Sequence, residues 1–167
     1  MSIASRGRYA LRMLAALTLF AGGAQAAQPA LAAPRDLRSD GALATIHGNP
    51  LVILFSLPQC QYCAVVRRNY LAPLTRMPGK QERLVVRELE LTDTAPLAGF
   101  NGEQTSGRML AARYGLQVAP AVVMLDRDGQ LLVPPLLGGD IAGMYGAYLE
   151  RSLEGARARL AAAAPTR

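Results

Sequence analysis

Leu51-Val52-Ile53-Leu54-Phe55 is an unbroken apolar run, and it predicts a strand buried on both faces. Before it, residues 36–46 predict a short helix weakened by Gly41, and His47-Gly48-Asn49-Pro50 is turn chemistry. After it come the turn Ser56-Leu57-Pro58-Gln59 and apolar positions at Val65, Val66, Tyr70 and Leu71. These predict a helix from about Cys60 through Arg67, Arg68 and Tyr70, kinked or ended by Pro73. Met77-Pro78-Gly79-Lys80 reads as a loop, and residues 84–91 start apolar and then alternate, as a strand with one less buried end does. Residues 92–105 form a polar loop of unusual length for a compact domain, which marks it for function. A helix over 106–114, capped by Thr105 or Ser106 and stopped by Gly115, leads through Val118-Ala119-Pro120 to a strand over 121–125. Asp126-Arg127-Asp128-Gly129 is a tight hairpin turn with a return strand over 130–133. Gly138-Gly139 makes a break, and Asp140 caps a last helix through Met144, Tyr145, Tyr148, Leu149 and Leu153. Strands and helices alternate first and a hairpin follows. The expectation is therefore an α/β fold, with a mixed central sheet flanked by helices on both faces.

The first residues change the meaning of the charge. Arg6, Arg8 and Arg12 precede a short apolar segment, 13–21, and Ala24-Gln25-Ala26 offers small residues around a cut. Residues 1–26 thus read as a signal peptide cleaved after Ala26, with retention as an N-terminal anchor the alternative. The apolar segment is short for a membrane span of about 20 residues. The segment's three arginines supply half of the chain's formal net charge of +6, so residues 27–167 carry +3. No dense basic patch interleaved with aromatics remains, and nucleic acid is not an expected partner. The Ala/Pro stretch after the cut, 27–35, reads as a flexible linker, and the Ala/Arg-rich residues 156–167 read as a frayed tail.

The two cysteines of the chain, Cys60 and Cys63, stand where the apolar strand turns into a helix. A helix N-terminus presents unpaired N–H groups and about half a positive charge, which favours the reactive thiolate. Two cysteines three apart also close a small disulfide, so the pair predicts reversible thiol–disulfide chemistry. A structural zinc site takes four protein ligands, and His47 is the one histidine. An inert structural disulfide would gain little from so short a loop. A c-type haem needs a histidine after the second cysteine, where Ala64 stands.

LVILFSLPQCQYC, the Val118-Ala119-Pro120 segment and the hairpin AVVMLDRDGQLLV followed by Gly-Gly and a helix together resemble the thioredoxin superfamily, in particular its exported members with a C-x-Y-C centre. The resemblance covers about residues 49–153 and implies a thioredoxin-like domain over 36–155. It also implies a cis proline at Pro120 that faces the cysteines and, with Ala119, shapes a substrate groove. The chain departs from thioredoxin itself. Gln59 replaces a Trp, Gln61-Tyr62 replaces Gly-Pro, and Leu54 stands where thioredoxin has a buried Asp.

On this reading Cys60, nearer the helix start and the surface, attacks, and the more buried Cys63 resolves the mixed disulfide. Tyr62 either packs on substrate or tunes the thiol, or is an exposed turn aromatic. His47 is expected as a turn residue, Arg67 and Arg68 as a solvated helix face, and Met77, Met109, Met124 and Met144 as core. The implied function is a periplasmic thiol–disulfide oxidoreductase acting as a reductant on protein disulfides or thiols, monomeric, without cofactor or metal, and fed by a membrane thiol reductase. The rival readings are a Cu(I)-handling metallochaperone of the same fold and a non-catalytic thioredoxin-like binding module.

Overall fold

A computed structural model describes residues 30–76 and 84–163. The signal peptide, the Met77-Pro78-Gly79-Lys80 loop and the last four residues lie outside the described residues. In chain order the elements are α1 (Leu37–Ile46), β1 (Leu51–Ser56) and α2 (Gln61–Val65), which continues through a π-helical stretch (Val66–Leu71) into α3 (Ala72–Leu74). Then come β2 (Val86–Glu90), β3 (Leu97–Ala98), β4 (Gln104–Thr105), α4 (Gly107–Arg113), β5 (Ala121–Leu125), β6 (Leu136–Leu137) and α5 (Tyr145–Ala163).

The main sheet has the order β2-β1-β5-β6. β2 runs parallel to β1, in register from Val52↔Val86 to Ser56↔Glu90. β5 runs antiparallel to β1, from Leu51↔Leu125 to Phe55↔Ala121. Every residue of β1 is buried, as its apolar run predicts. Alternation along the strands divides the interior in two. Val52, Leu54, Val122 and Met124 pack with Val66 and Leu71 of the π stretch and with Tyr145, Leu149 and Leu153 of α5. Leu51, Ile53, Phe55, Val123 and Leu125 pack with Leu37 of α1 and Leu110 of α4. Helices therefore cover both faces of a mixed sheet.

Several elements differ from expectation, each for a visible reason. The linker is pinned from Leu31 onward. Leu31 is buried, the Glu88 N–H donates to the Ala32 carbonyl at 3.1 Å, and Ala32 bridges to Arg87. This segment covers the β2 edge, which would otherwise expose unpaired backbone groups. The long polar loop holds the β3–β4 hairpin, and its Phe100 enters the core. Gly41, expected to weaken α1, permits a close approach, since a Cβ there would lie 2.9 Å from the Arg127 carbonyl. The return strand over 130–133 shrinks to a Leu125↔Leu131 bridge and two backbone bonds, from the Leu132 N–H to the Met124 carbonyl at 2.9 Å and from the Asp126 N–H to the Gln130 carbonyl at 3.0 Å. Pro134 and Pro135, which have no N–H, follow, and pairing with β5 resumes only in β6.

α5 starts at Tyr145, after Gly143 at φ +70°, rather than directly after Asp140. It continues to Ala163, so the expected frayed tail is helical over most of its length. Ala is the best helix former, and Ala156 is fully buried against the core. Glu at position 156 would place a carboxylate there. Ala156→Glu is expected to lower stability by about 2 kcal/mol or more, read by urea unfolding with far-UV circular dichroism. Exposed Ala158→Glu is expected to stay within roughly 0.5 kcal/mol of the wild type. Equal stabilities for the two variants would show that the end of α5 is not docked.

Candidate functional site

β1 carries the chain to one end of the sheet, and the exposed turn 57–59 reverses it into α2. Gln59 closes the turn at φ +57°, a backbone region that costs a side chain about 1 kcal/mol or more. Cys60 is then the N-cap of α2. Its Sγ accepts a hydrogen bond from the Cys63 N–H at 3.1 Å. The two sulfurs are joined, with the Cα atoms 5.2 Å apart. Cys60 is partly exposed and Cys63 fully buried. The N–H that meets Sγ in the disulfide is placed to stabilise a thiolate once the bond is reduced.

The remaining candidate residues fall into a connected arrangement and a set outside it. Tyr62 is 58% exposed, and its Cβ lies against Gly139, where a Cβ would come within 2.9 Å of it. The next residue back, Gly138, donates its N–H to the Pro120 carbonyl at 2.8 Å. The Ala119–Pro120 bond is cis, with Pro120 buried and Ala119 half-buried. Gly138 and Gly139, read in the sequence only as a break, thus link the inter-cysteine tyrosine to the start of β5. Asp140 extends the link. Its carboxylate accepts from the Tyr70 hydroxyl and from the Tyr145 N–H at 3.4 Å. The hydrogen bond from the Tyr70 hydroxyl holds the Asp140 carboxyl below its ordinary range, and the same bond raises the phenol.

His47 caps the far end of α1. Met124 is core, but Met109 and Met144 are 57% and 51% exposed, against expectation, and Met77 lies outside the described residues. Among the described residues, no three His, Cys, Asp or Glu side chains gather into a metal-holding group.

Arg67 departs from its expected role, whereas Arg68 stays on the surface. Arg67 lines a hollow of about 290 Å³ with Leu57, Gln59, Cys60, Gln61 and Ala64. Its guanidinium forks onto Glu88 of β2, with Nε donating to Oε2 at 2.6 Å and a second bond from Nη2 to Oε1. Glu88 is the parallel neighbour of Leu54. It faces a second hollow, of about 450 Å³, that shares Leu57, Gln59 and Arg67 with the first and reaches Glu90 and Asp93. The signal in the sequence was the spacing Cys60, Ala64, Arg67, which follows one stripe of a helix. What remained invisible was the partner on β2.

A model of the thioredoxin-like domain family matches residues 37–140. No curated protein sequence matches the chain. Among solved structures, the oxidised mitochondrial thioredoxin 3 of Saccharomyces cerevisiae is similar at 15% identity and TM-score 0.48, over 74% of this chain and 93% of that one. A thioredoxin-fold protein from Helicobacter pylori is 19% identical at TM-score 0.47, over 72% and 81%. The oxidised C-terminal domain of DsbD from Neisseria meningitidis is 24% identical at TM-score 0.47, over 74% and 99%.

Gly139 tests the link. Gly139→Ala must displace Tyr62 near its backbone, because the clash falls on Cβ. It is expected to cost about 1–3 kcal/mol of stability and to slow exchange with a protein disulfide more than with a small disulfide reagent. An unchanged melting curve and unchanged rates would show that Tyr62 and residue 139 do not constrain each other.

Proposed function

The chain belongs to the thioredoxin-like domain family, and on that premise we propose that it is an exported thiol–disulfide oxidoreductase that reduces disulfides in protein substrates. One observation carries the proposal. Cys60 and Cys63 form a disulfide at the head of α2, with one sulfur accessible and hydrogen-bonded and the other buried.

The chemistry follows from that asymmetry. In the reduced protein, the Cys60 thiolate attacks one sulfur of a substrate disulfide. A Cys60–substrate bond forms, and the other substrate sulfur leaves as a thiolate and takes up a proton. Cys63 then loses its proton and attacks the Cys60 sulfur, which expels the second substrate thiol and leaves the Cys60–Cys63 disulfide. Two electrons have passed to the substrate. A reduced thiol partner, assigned here to a membrane thiol reductase, returns the pair to the dithiol by the reverse exchange. Tyr62, Ala119 and Pro120 are assigned to the substrate groove. The three arginines and the apolar stretch of residues 1–26 support export to the periplasm with cleavage after Ala26.

Two measurements test these assignments. With dithiothreitol as electron source, the protein is expected to accelerate insulin reduction, and Cys60→Ser is expected to abolish that acceleration. Cys63→Ser is expected to hold substrates as mixed disulfides on Cys60, seen as adducts on non-reducing gels and missing from the double variant. Insulin reduction that survives in Cys60→Ser would remove Cys60 from the attacking role. Separately, N-terminal sequencing of protein from the periplasmic fraction is expected to begin at Ala27. Full-length protein held in the membrane fraction would mean that the segment is an anchor.

A further inference from the structure

We propose that the Arg67–Glu88 ion pair is a positioning device that sets the acidity of Cys60, with Glu88 holding the guanidinium and damping its charge so that the dithiol stays a reductant. The inference rests on the thiol–disulfide reading and adds to it the groups that poise the pair. Arg67 and Cys60 line one hollow, and Ala64, which lines it too, falls between them on the helix stripe Cys60, Ala64, Arg67. A cation there favours the thiolate over the thiol. Glu88 forks onto the same guanidinium through two bonds and works against that effect. Both side chains are largely buried, at 21% and 15% exposure, where water screens charge less than at the open surface.

The other charged or titratable groups around the sulfur are few. Glu90 of β2 and Asp93 after it line the adjoining hollow. Tyr62 lies within the motif. They are the same in every variant considered below, so their contributions cancel in the comparison.

The two partners should act with opposite signs. Arg67→Gln removes the cation and leaves Glu88 unmatched, so the Cys60 thiol becomes less acidic and the disulfide form gains. Glu88→Gln leaves Arg67 uncompensated, so the thiol becomes more acidic and the dithiol form gains. A structural role for the pair predicts no such opposition, because breaking it from either side would only loosen the fold.

The experiment titrates Cys60 in the reduced Cys63→Ser background through thiolate absorbance, checked by the pH profile of iodoacetamide alkylation. Alongside it, the equilibrium of the two-cysteine protein with glutathione is measured. Arg67→Gln is expected to raise the Cys60 pKa by about half a unit or more, roughly a threefold loss of thiolate at a pH below it. Glu88→Gln is expected to lower the pKa by a similar amount, and the double variant to fall between the two. The glutathione equilibrium should move toward disulfide for Arg67→Gln and toward dithiol for Glu88→Gln. Arg67→Lys keeps the charge and is expected to stay closer to the wild type than Arg67→Gln does. It and Glu88→Gln carry the test if Arg67→Gln does not fold. Shifts of the same sign, or a Glu88→Gln pKa indistinguishable from the wild type, would overturn the proposal. Insulin reduction run on the same proteins separates the two readings. Opposed pKa shifts without insulin reduction keep the poise and remove the function, and insulin reduction without the shifts does the reverse.

Discussion

The burial of β1 is the constraint on which the site depends. All six of its residues are buried, and its two edges are paired to β2 and β5, so its backbone polar groups have partners without water. Its side chains alternate into two separate cores. A strand held on both faces and both edges cannot slip by one residue, because each side chain would change face. The place where the chain leaves the sheet is therefore set by packing. The backbone turn at Gln59 is tolerated because the strand before it and the helix after it are both anchored. Val66, Leu71 and Ala72 tie the continuation of α2 to the same core as Val52 and Leu54. Cys60 sits at the joint between β1 and the helical segment anchored in the same core.

The magnitudes bear on why a charged pair lies next to that joint. An exposed ion pair contributes about 0–1 kcal/mol, and a buried one recovers its desolvation cost only with good geometry. Arg67 and Glu88 have that geometry, a two-bond fork, yet an apolar pair of similar volume would often serve stability as well. Stability alone therefore gives little reason for a cation beside a reactive sulfur and a carboxylate that holds it. Control of the sulfur's charge gives one.

The three long strands β1, β2 and β5 and the cysteine pair were legible because each rests on a local pattern. An unbroken apolar run means burial on both faces, and two cysteines at a strand–helix joint mean an accessible thiol backed by a second one. The features that the sequence hid are those made by distant partners. Leu31 and Ala32 look like linker until β2 supplies an edge to cover. Gly41 looks like a weak point until the turn at Arg127 comes within van der Waals reach. Residues from Ala156 onward look like tail because alanine and arginine carry no amphipathic signal, although Ala156 meets the core. Arg67 looks solvated because Glu88 is 21 residues away. The π-helical stretch was not legible either. It ends beside Pro73, whose ring crowds the carbonyl four residues back, and a widened turn is one way for a helix to pass such a residue.

The loop at Gly138-Gly139-Asp140 shows how the two halves of the fold meet at the site. The motif helix belongs to the first half and the Ala119–Pro120 segment to the second, and the sheet joins them only through β1 and β5. The loop adds a second connection at the surface. Gly138 bonds to Pro120, Gly139 leaves room for Tyr62, and Asp140 binds the hydroxyl of Tyr70 on the π stretch. Tyr70 in turn packs on Tyr145, the first residue of α5, with ring centroids 5.0 Å apart. Three consecutive residues thus touch the motif, the strand that follows the cis bond and the helix behind the cysteines. Glycine at 139 is required by proximity to the Tyr62 Cβ, and at 138 by a φ of +82°, a region that other residues rarely occupy. The Gly-Gly pair is therefore part of how the site is built, because it lets the backbone pass close to Tyr62 without moving the helix that carries Cys60.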